Sequence, residues 1–162
     1  MCSMCDLSQF LKDCEDLGVA LNEKQQKQFM DYYNMLVEWN SFMNLTSITE
    51  FDEVCKKHFV DSLSIIKALP DIDKKEYHII DIGTGAGFPG LPLKIAFPQL
   101  KITLLDSLQK RVKFLNEVIE KLELSDIDTI HGRAEDFAKP DKLREKYDIC
   151  VSRAVANLST LS

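Results

Sequence analysis

The stretch that most restricts the fold is His78-Ile79-Ile80-Asp81-Ile82-Gly83-Thr84-Gly85-Ala86-Gly87-Phe88-Pro89-Gly90. A short apolar run reads as a buried strand, and it leads directly into a glycine-rich turn and then a helix. Glycines admit positive φ and let a ligand approach the backbone, while the first amides of the helix lack intrahelical partners. Pro89 and Pro92 suit a first helical turn, where no N–H is needed.

The residues beyond it continue in the same manner. Tyr77–Asp81 reads as strand and Gly90–Ala96 as helix; Lys101–Leu105 as strand and Gln109–Leu122 as helix. Ile127–Ile130 follows, then a loop with a further helical stretch, and Tyr147–Val151 closes the series. Strands alternating with helices at this spacing predict an α/β fold, a parallel sheet with crossover helices.

Residues 1–70 read differently. Leu7, Phe10, Leu11, Cys14 and Leu17 form one helical face, which Gly18 is placed to end. Asn22 with Gln25 predicts a capping box opening a longer helix, with Phe29, Tyr32, Tyr33, Leu36, Val37 and Trp39 inward. Thr49 and Asp52 predict the start of a third helix burying Val54, Phe59, Leu63 and Ile66, with Pro70 after its end. The polar stretch Pro70–Glu76 reads as a linker, giving a helical extension at 1–70 and an α/β domain at 77–162.

Charge and cysteine usage narrow the function classes. Net charge is −6 with a pI of about 5.1, which argues against a general nucleic-acid coat and leaves room for a local basic patch. The longest uncharged stretch, Ile82–Leu93, is too short and too interrupted by Gly and Pro to span a bilayer. No cationic leader precedes Lys12, so a cytoplasmic protein without a membrane partner is expected. Cys2, Cys5, Cys14, Cys55 and Cys150 read as free thiols, and Cys2-x-x-Cys5 lacks the second pair or nearby His of a zinc site, so no metal is expected.

Two acids bear on what the glycine turn holds. Gly85, Gly87 and Gly90 satisfy the dinucleotide pattern G-x-G-x-x-G, which keeps an NAD-dependent oxidoreductase in view. Asp81, however, stands at the strand end just before the first glycine, where a carboxylate opposes a pyrophosphate and favours a cationic ligand such as the ammonium of a methionine moiety. Asp106 ends the next strand, where an acid accepts hydrogen bonds from ribose hydroxyls in either cofactor class. The combination reads as S-adenosyl-L-methionine (AdoMet) binding. The dinucleotide reading requires a hydride-transfer acid or base that the sequence does not locate; a glycine turn without ligand is the third reading.

Several separate blocks resemble the bacterial RsmG/GidB family of 16S ribosomal RNA guanine-N7 methyltransferases. They are Asn44-Leu45-Thr46-Ser47-Ile48, Lys57-His58-Phe59-Val60-Asp61-Ser62-Leu63, the glycine block with its Phe-Pro-Gly ending, and Leu104-Leu105-Asp106-Ser107. Lys110-Arg111-Val112-Lys113-Phe114-Leu115, Arg133-Ala134-Glu135-Asp136 and Ser152-Arg153-Ala154-Val155-Ala156 complete them. The resemblance implies a Rossmann-like class I AdoMet-dependent methyltransferase with a helical N-terminal extension, acting on N7 of a guanosine in 16S ribosomal RNA or the small ribosomal subunit.

Carried over by position, the resemblance has Gly83 and Phe88 lining the AdoMet pocket and Ala134-Glu135 beside the adenine. Together with Asp81, Gly85, Gly87 and Asp106 these make the expected cofactor set. Arg153 is expected to face the cofactor or the target nucleotide, with Arg133 as a second positioning group. Lys110, Arg111 and Lys113 are the expected phosphate contacts; Lys56, Lys57 and His58 form a second basic group, in which His58 reads as a packed structural residue. A non-catalytic RNA- or ribosome-binding module of the same fold is the rival from another class. Only four strands can be counted, with a helix expected to begin near Ser162 and further family strands beyond it. The outer edge of the fourth strand is therefore expected to be bare.

Overall fold

A computed structural model describes residues 7–133 and 147–152, and the backbone of 157–160. Helix α1 (Ser8–Asp16) buries Phe10 and Cys14, and the chain leaves it through Gly18 at φ 85°. Helix α2 (Glu23–Met43) opens with the predicted capping box. The Gln25 amide donates to Asn22 Oδ1 at 2.8 Å, and the Asn22 amide donates to Gln25 Oε1 at 2.9 Å. Its buried stripe is Phe29, Tyr32, Tyr33 and Leu36. Val37, expected inward, is exposed, because it stands one step around the helix from the stripe ending at Leu36. Asn44 in the left-handed region ends α2.

The predicted third helix is broken into four short pieces. They are α3 (Phe51–Val54), a π-helical turn (Cys55–Val60), α4 (Asp61–Leu63) and a 3₁₀ turn (Ser64–Lys67). Its expected cap does not form: Glu50 precedes the first turn without a side-chain cap, and the Thr49 carbonyl instead accepts the Tyr33 hydroxyl at 2.6 Å. The inward face is nevertheless the predicted one, with Val54, Phe59, Leu63 and Ile66 all buried. In the polar stretch that follows, Asp71 accepts from Lys75 and from the Tyr77 hydroxyl, each at 2.9 Å, while Ile72 is fully buried.

Strands β1 (His78–Ile82), β2 (Lys101–Asp106), β3 (Ile127–His131) and β4 (Ile149–Ser152) are parallel, with α5 (Gly90–Ala96) and α6 (Gln109–Lys121) between the first three. The spatial order is β3-β2-β1-β4-β5, where β5 is Asn157–Thr160. The expectation of a sheet ending at β4 with a bare edge is therefore corrected. β5 pairs antiparallel with β4 from Ser152↔Asn157 to Ile149↔Thr160. An antiparallel neighbour needs only a short connection, and it pairs backbone groups that β4 alone would leave open.

One hydrophobic cluster joins the helices to the sheet. Rings pass from Phe10 to Phe29 (5.0 Å between centroids), from Phe29 to Phe59 (5.0 Å), and from Phe59 to Tyr32 (5.4 Å). The same cluster takes in Ile79, Leu93, Leu104, Phe114 and Ile149. Burying each such side chain stabilises the fold by about 1.5–3 kcal/mol, so the helices hold the sheet face through several independent contacts. Because β1 lies between β2 and β4, the order of the sheet reverses at its carboxyl end, the place where open α/β sheets bind ligands.

Candidate cofactor site

The turn after β1 is built by hydrogen bonds from its own amides. Gly83 and Thr84 donate to the Leu105 carbonyl at 2.9 and 3.1 Å, which ties the turn to β2. Gly85 donates to Asp106 Oδ2 at 2.8 Å. Gly87 and Phe88 donate to the Thr84 carbonyl at 3.0 and 3.1 Å, and Gly90 donates to Asp81 Oδ2 at 2.9 Å. These amides are therefore engaged with the chain itself instead of standing in a row to receive a pyrophosphate.

The glycines divide into two kinds. Gly83 (φ 68°) and Gly85 (φ 59°) have no heavy atom within 4 Å of where a Cβ would stand, so they border open space. At Gly87 (φ 104°) a Cβ would lie 2.4 Å from Leu91 Cδ1 and 2.8 Å from the Tyr32 hydroxyl. At Gly90 it would lie 2.4 Å from Leu104 Cδ2 and 3.0 Å from Asp81 Oδ2. The first pair leaves room for a ligand; the second lets helix, strand and turn close on one another.

The structure places Asp81, Gly87 and Phe88 behind the turn, buried, not on its open side. Asp81 is fully buried on the sheet face of Ile79, and its Oδ2 also accepts the Thr84 hydroxyl at 2.7 Å. It thus fixes both ends of the glycine segment, at Thr84 and at Gly90. Phe88 turns to the helical layer, stacked on His58 at 4.4 Å and 14°, with Tyr32 at 5.7 Å and Phe59 at 6.1 Å. More apolar surface is removed from water there than at a rim.

Asp106 is 2% exposed, between the turn and α6. Its Oδ1 accepts from the Leu108 amide at 2.9 Å, and Arg111 Nη1 lies 3.7 Å from the same oxygen. Arg111, expected on an RNA face, thus stands beside the second acid. Lys110 and Lys113 are exposed and enter no ion pair among the described residues. Arg133 is exposed just past β3, where the neighbouring Gly132 amide donates to the Asp106 carbonyl at 3.0 Å. Ala134, Glu135 and Arg153 lie outside the described residues.

Of the residues that brace this turn from the helical side, sequence reasoning missed the hydroxyl bond of Tyr32, while His58 is the packed structural residue expected. The Tyr32 hydroxyl donates to the Ala86 carbonyl at 2.5 Å, and His58 Nε2 lies 2.9 Å from Thr46 Oγ1. Tyr32 reads as one more apolar-face aromatic, so nothing local announces its hydroxyl bond. Thr84 did carry a signal, since a hydroxyl three residues after a strand-end acid is placed to bond back to it. Among the described residues there is no group of three or more His, Cys, Asp or Glu arranged to hold a metal ion. No described helix is long and apolar enough to cross a membrane.

A parallel sheet reversing at β1, a glycine turn at that point and an acid ending β2 define the class I AdoMet-dependent methyltransferase fold. The same fold is found in a Plasmodium falciparum chain described as a protein-L-isoaspartate O-methyltransferase and solved with S-adenosyl-L-homocysteine (TM-score 0.54, 13% identity, covering 91% of this chain and 73% of that one). The chain belongs to the GidB family, rRNA small subunit methyltransferase G, which it matches over residues 25–162. It is 55% identical over 159 residues to ribosomal RNA small subunit methyltransferase G of Lachnoclostridium phytofermentans, covering 98% of this chain and 65% of that protein. With the protein of the same name from Clostridium botulinum strain Loch Maree it shares 55% over 149 residues, covering 92% of this chain and 62% of the relative. The chain thus spans somewhat less than two thirds of the length of these curated relatives.

Proposed function

We propose that the chain is the AdoMet-binding part of an enzyme that methylates N7 of a guanosine in 16S ribosomal RNA, free or within the small ribosomal subunit, in the cytoplasm. The observation that carries this reading is the glycine turn itself. Its amides are engaged with Leu105, Asp106 and Asp81, which argues against a dinucleotide pyrophosphate, while Gly83 and Gly85 border open space beside Asp106.

These residues fit AdoMet. Asp106 accepts the ribose hydroxyls, Gly83 and Gly85 admit the ligand against the backbone, and Ala134-Glu135 flank the adenine. Asp81, Gly87 and Phe88 act as positioning residues that hold the turn. When bound, AdoMet supplies a methyl group activated on a sulfonium. Guanine N7 carries a free lone pair at neutral pH, so no side chain has to remove a proton from it; the chain's work is to hold the nucleotide in line. Arg153 and Arg133 are the residues for that work, and Lys110 and Lys113 for the phosphates around it.

Calorimetry with AdoMet and NAD side by side tests the cofactor, with binding of AdoMet alone expected. Labelled methyl transfer to a small-subunit rRNA transcript, measured in this chain and in a full-length member of the family, tests the reaction. Label appearing at a site other than guanine N7 would overturn the assignment of the target atom.

A further inference from the structure

We propose that Phe42 is a stacking platform for an unpaired base of the RNA substrate, with Lys110 beside it holding that strand's phosphate. The proposal rests on the RNA-methylating reading above and adds a contact surface to it.

Phe42 is 65% exposed, more than the other exposed large hydrophobics among the described residues, Leu108 at 49% and Val37 at 36%. Its ring is nevertheless held in place. The Trp39 ring lies 5.4 Å from it, and Trp39 in turn lies 5.5 Å from Phe114 of α6. One side is thus supported by two aromatic layers while the other faces solvent, and the adjacent Ser41 and Asn44 are exposed and polar.

Helices α2 and α6 run antiparallel here. Near the start of α2, Gln28 Nε2 donates to the carbonyl of Leu122, at the end of α6, at 2.9 Å. Further along α2, Trp39 meets Phe114, nearer the start of α6. Extending this alignment by about one turn brings Phe42 level with the first turn of α6. Lys110 and Arg111 stand there, four and three residues before Phe114 and therefore on its face. That end of α6 follows directly from Asp106, so Phe42 shares the cofactor end of the sheet.

Charge selects the partner. In a chain of net charge −6, the segment Gln109–Asn116 carries Lys110, Arg111 and Lys113 and no acid. Arg111 leans toward Asp106, which leaves Lys110 and Lys113 turned to solvent. An exposed aromatic ring with a lysine beside it is what single-stranded nucleic acid needs, a base stacking on the ring and a phosphate meeting the cation. A duplex offers no free base faces, so the strand must be unpaired.

Trp39 is the only tryptophan in the sequence, so its emission reports events at Phe42 directly. Titrating the chain with a short single-stranded oligoribonucleotide should quench Trp39 emission saturably. Phe42→Ala should weaken that binding roughly tenfold or more, Phe42→Tyr should retain it, and AdoMet affinity and the melting midpoint should hold in both. Equal RNA affinity in Phe42→Ala, or full retention in Phe42→Leu, would overturn the platform. So would self-association that Phe42→Ala abolishes while RNA binding is untouched, which would make the ring a contact between copies. The two readings separate cleanly. If the parent chain binds no AdoMet but RNA binding still depends on Phe42, the cofactor reading falls and the platform stands.

Discussion

The amide of Gly85 donates to Asp106 Oδ2 at 2.8 Å, so the carboxylate that ends β2 also holds the middle of the glycine turn. A carboxylate offers about four lone-pair sites, and Gly85 and Leu108 take one on each oxygen. Two acceptor sites therefore remain, the ones that on the proposed reading serve the ribose hydroxyls, and the same group shapes the glycine turn.

Removing that carboxylate should act twice. In Asp106→Ala the ribose loses its acceptor, at about 1.5–3 kcal/mol for hydrogen bonds to a charged group, and the Gly85 amide loses its partner. AdoMet affinity should fall tenfold to a hundredfold by calorimetry, and hydrogen exchange at Gly85 should quicken. Asp106→Asn, which keeps one acceptor oxygen, should fall between. Unchanged affinity in Asp106→Ala would remove the residue from the site.

The two kinds of glycine should separate binding from stability. Gly83→Ala meets open space and carries only the strain of a left-handed alanine, about 1 kcal/mol, yet places a methyl where the ligand comes in. Gly87→Ala drives a Cβ to 2.4 Å from Leu91 at φ 104°, combining overpacking with backbone strain at about 2–5 kcal/mol. Denaturant unfolding with calorimetry should show Gly83→Ala nearly as stable as the parent but weak in AdoMet, and Gly87→Ala unstable throughout. Equal stability in the two would show that the close approach of Leu91 and Tyr32 relaxes freely.

Much of this arrangement is legible in the chain because it is local. The capping box at Asn22 and Gln25, the helix Gly90–Ala96, the acid next to the end of β1 and the acid that ends β2 all follow from neighbours in sequence. What is not legible depends on contacts between distant segments. Phe88 turns into the helical layer because α2 and the π-helical turn bring Tyr32, His58 and Phe59 against it, and no local pattern encodes that meeting. Lys94 is another case. It is 2% exposed inside α5, donating to the Pro98 and Leu100 carbonyls, and burial holds its pKa below the ordinary lysine value. β5 escaped notice because its pairing depends on the open edge of β4.

Arg111 should behave differently from its lysine neighbours. Replacing Lys110 and Lys113 by Ala should lower the salt dependence of RNA binding by roughly 0.7–0.9 log unit for each phosphate left without its cation, with AdoMet affinity unmoved. Arg111→Ala should weaken AdoMet as well, since its guanidinium stands 3.7 Å from Asp106 Oδ1. Fluorescence titrations across salt concentrations, paired with calorimetry, check both. An unchanged salt slope in the double lysine variant would assign those side chains to an ordinary solvated face.

Alkali should destabilise the chain through two core thiols. Burial pushes Cys14 and Cys55 from the ordinary value of 9.0 up to about 12, aided by Asp13 and Glu15 near the first and Asp52 near the second. The folded pKa lies above the unfolded one, so this stability is fully present below pH 9 and is lost as pH rises toward 12. Across that window each thiol removes about 1.4 kcal/mol per pH unit. Unfolding in denaturant at pH 8, 9 and 10 should show the decline, and Cys14→Ala should be less steep by one thiol's share. Parallel slopes in parent and variant would mean that the Cys14 thiol ionises as readily folded as unfolded.

The chemistry itself should need no base. General-base catalysis contributes about 10²–10⁴-fold where a proton must leave, and guanine N7 has none to give. On the proposed N7 reading, no Ser-His-Asp set or pair of carboxylates is needed, and the sequence pattern offers none. His58 is buried, stacked on Phe88 and hydrogen-bonded with Thr46, a bracing position behind the turn. In a full-length member of the family, single-turnover rates with RNA and AdoMet saturating should be nearly flat between about pH 6 and 9. Variants of Arg153 and Arg133 should lower the rate without introducing a pH dependence, because positioning leaves no proton to titrate. Glu135→Gln should alter mainly cofactor affinity. A steep rise through a single ionisation near neutrality, abolished by one carboxylate or histidine substitution, would show that a base is used and that the methylated atom is not N7.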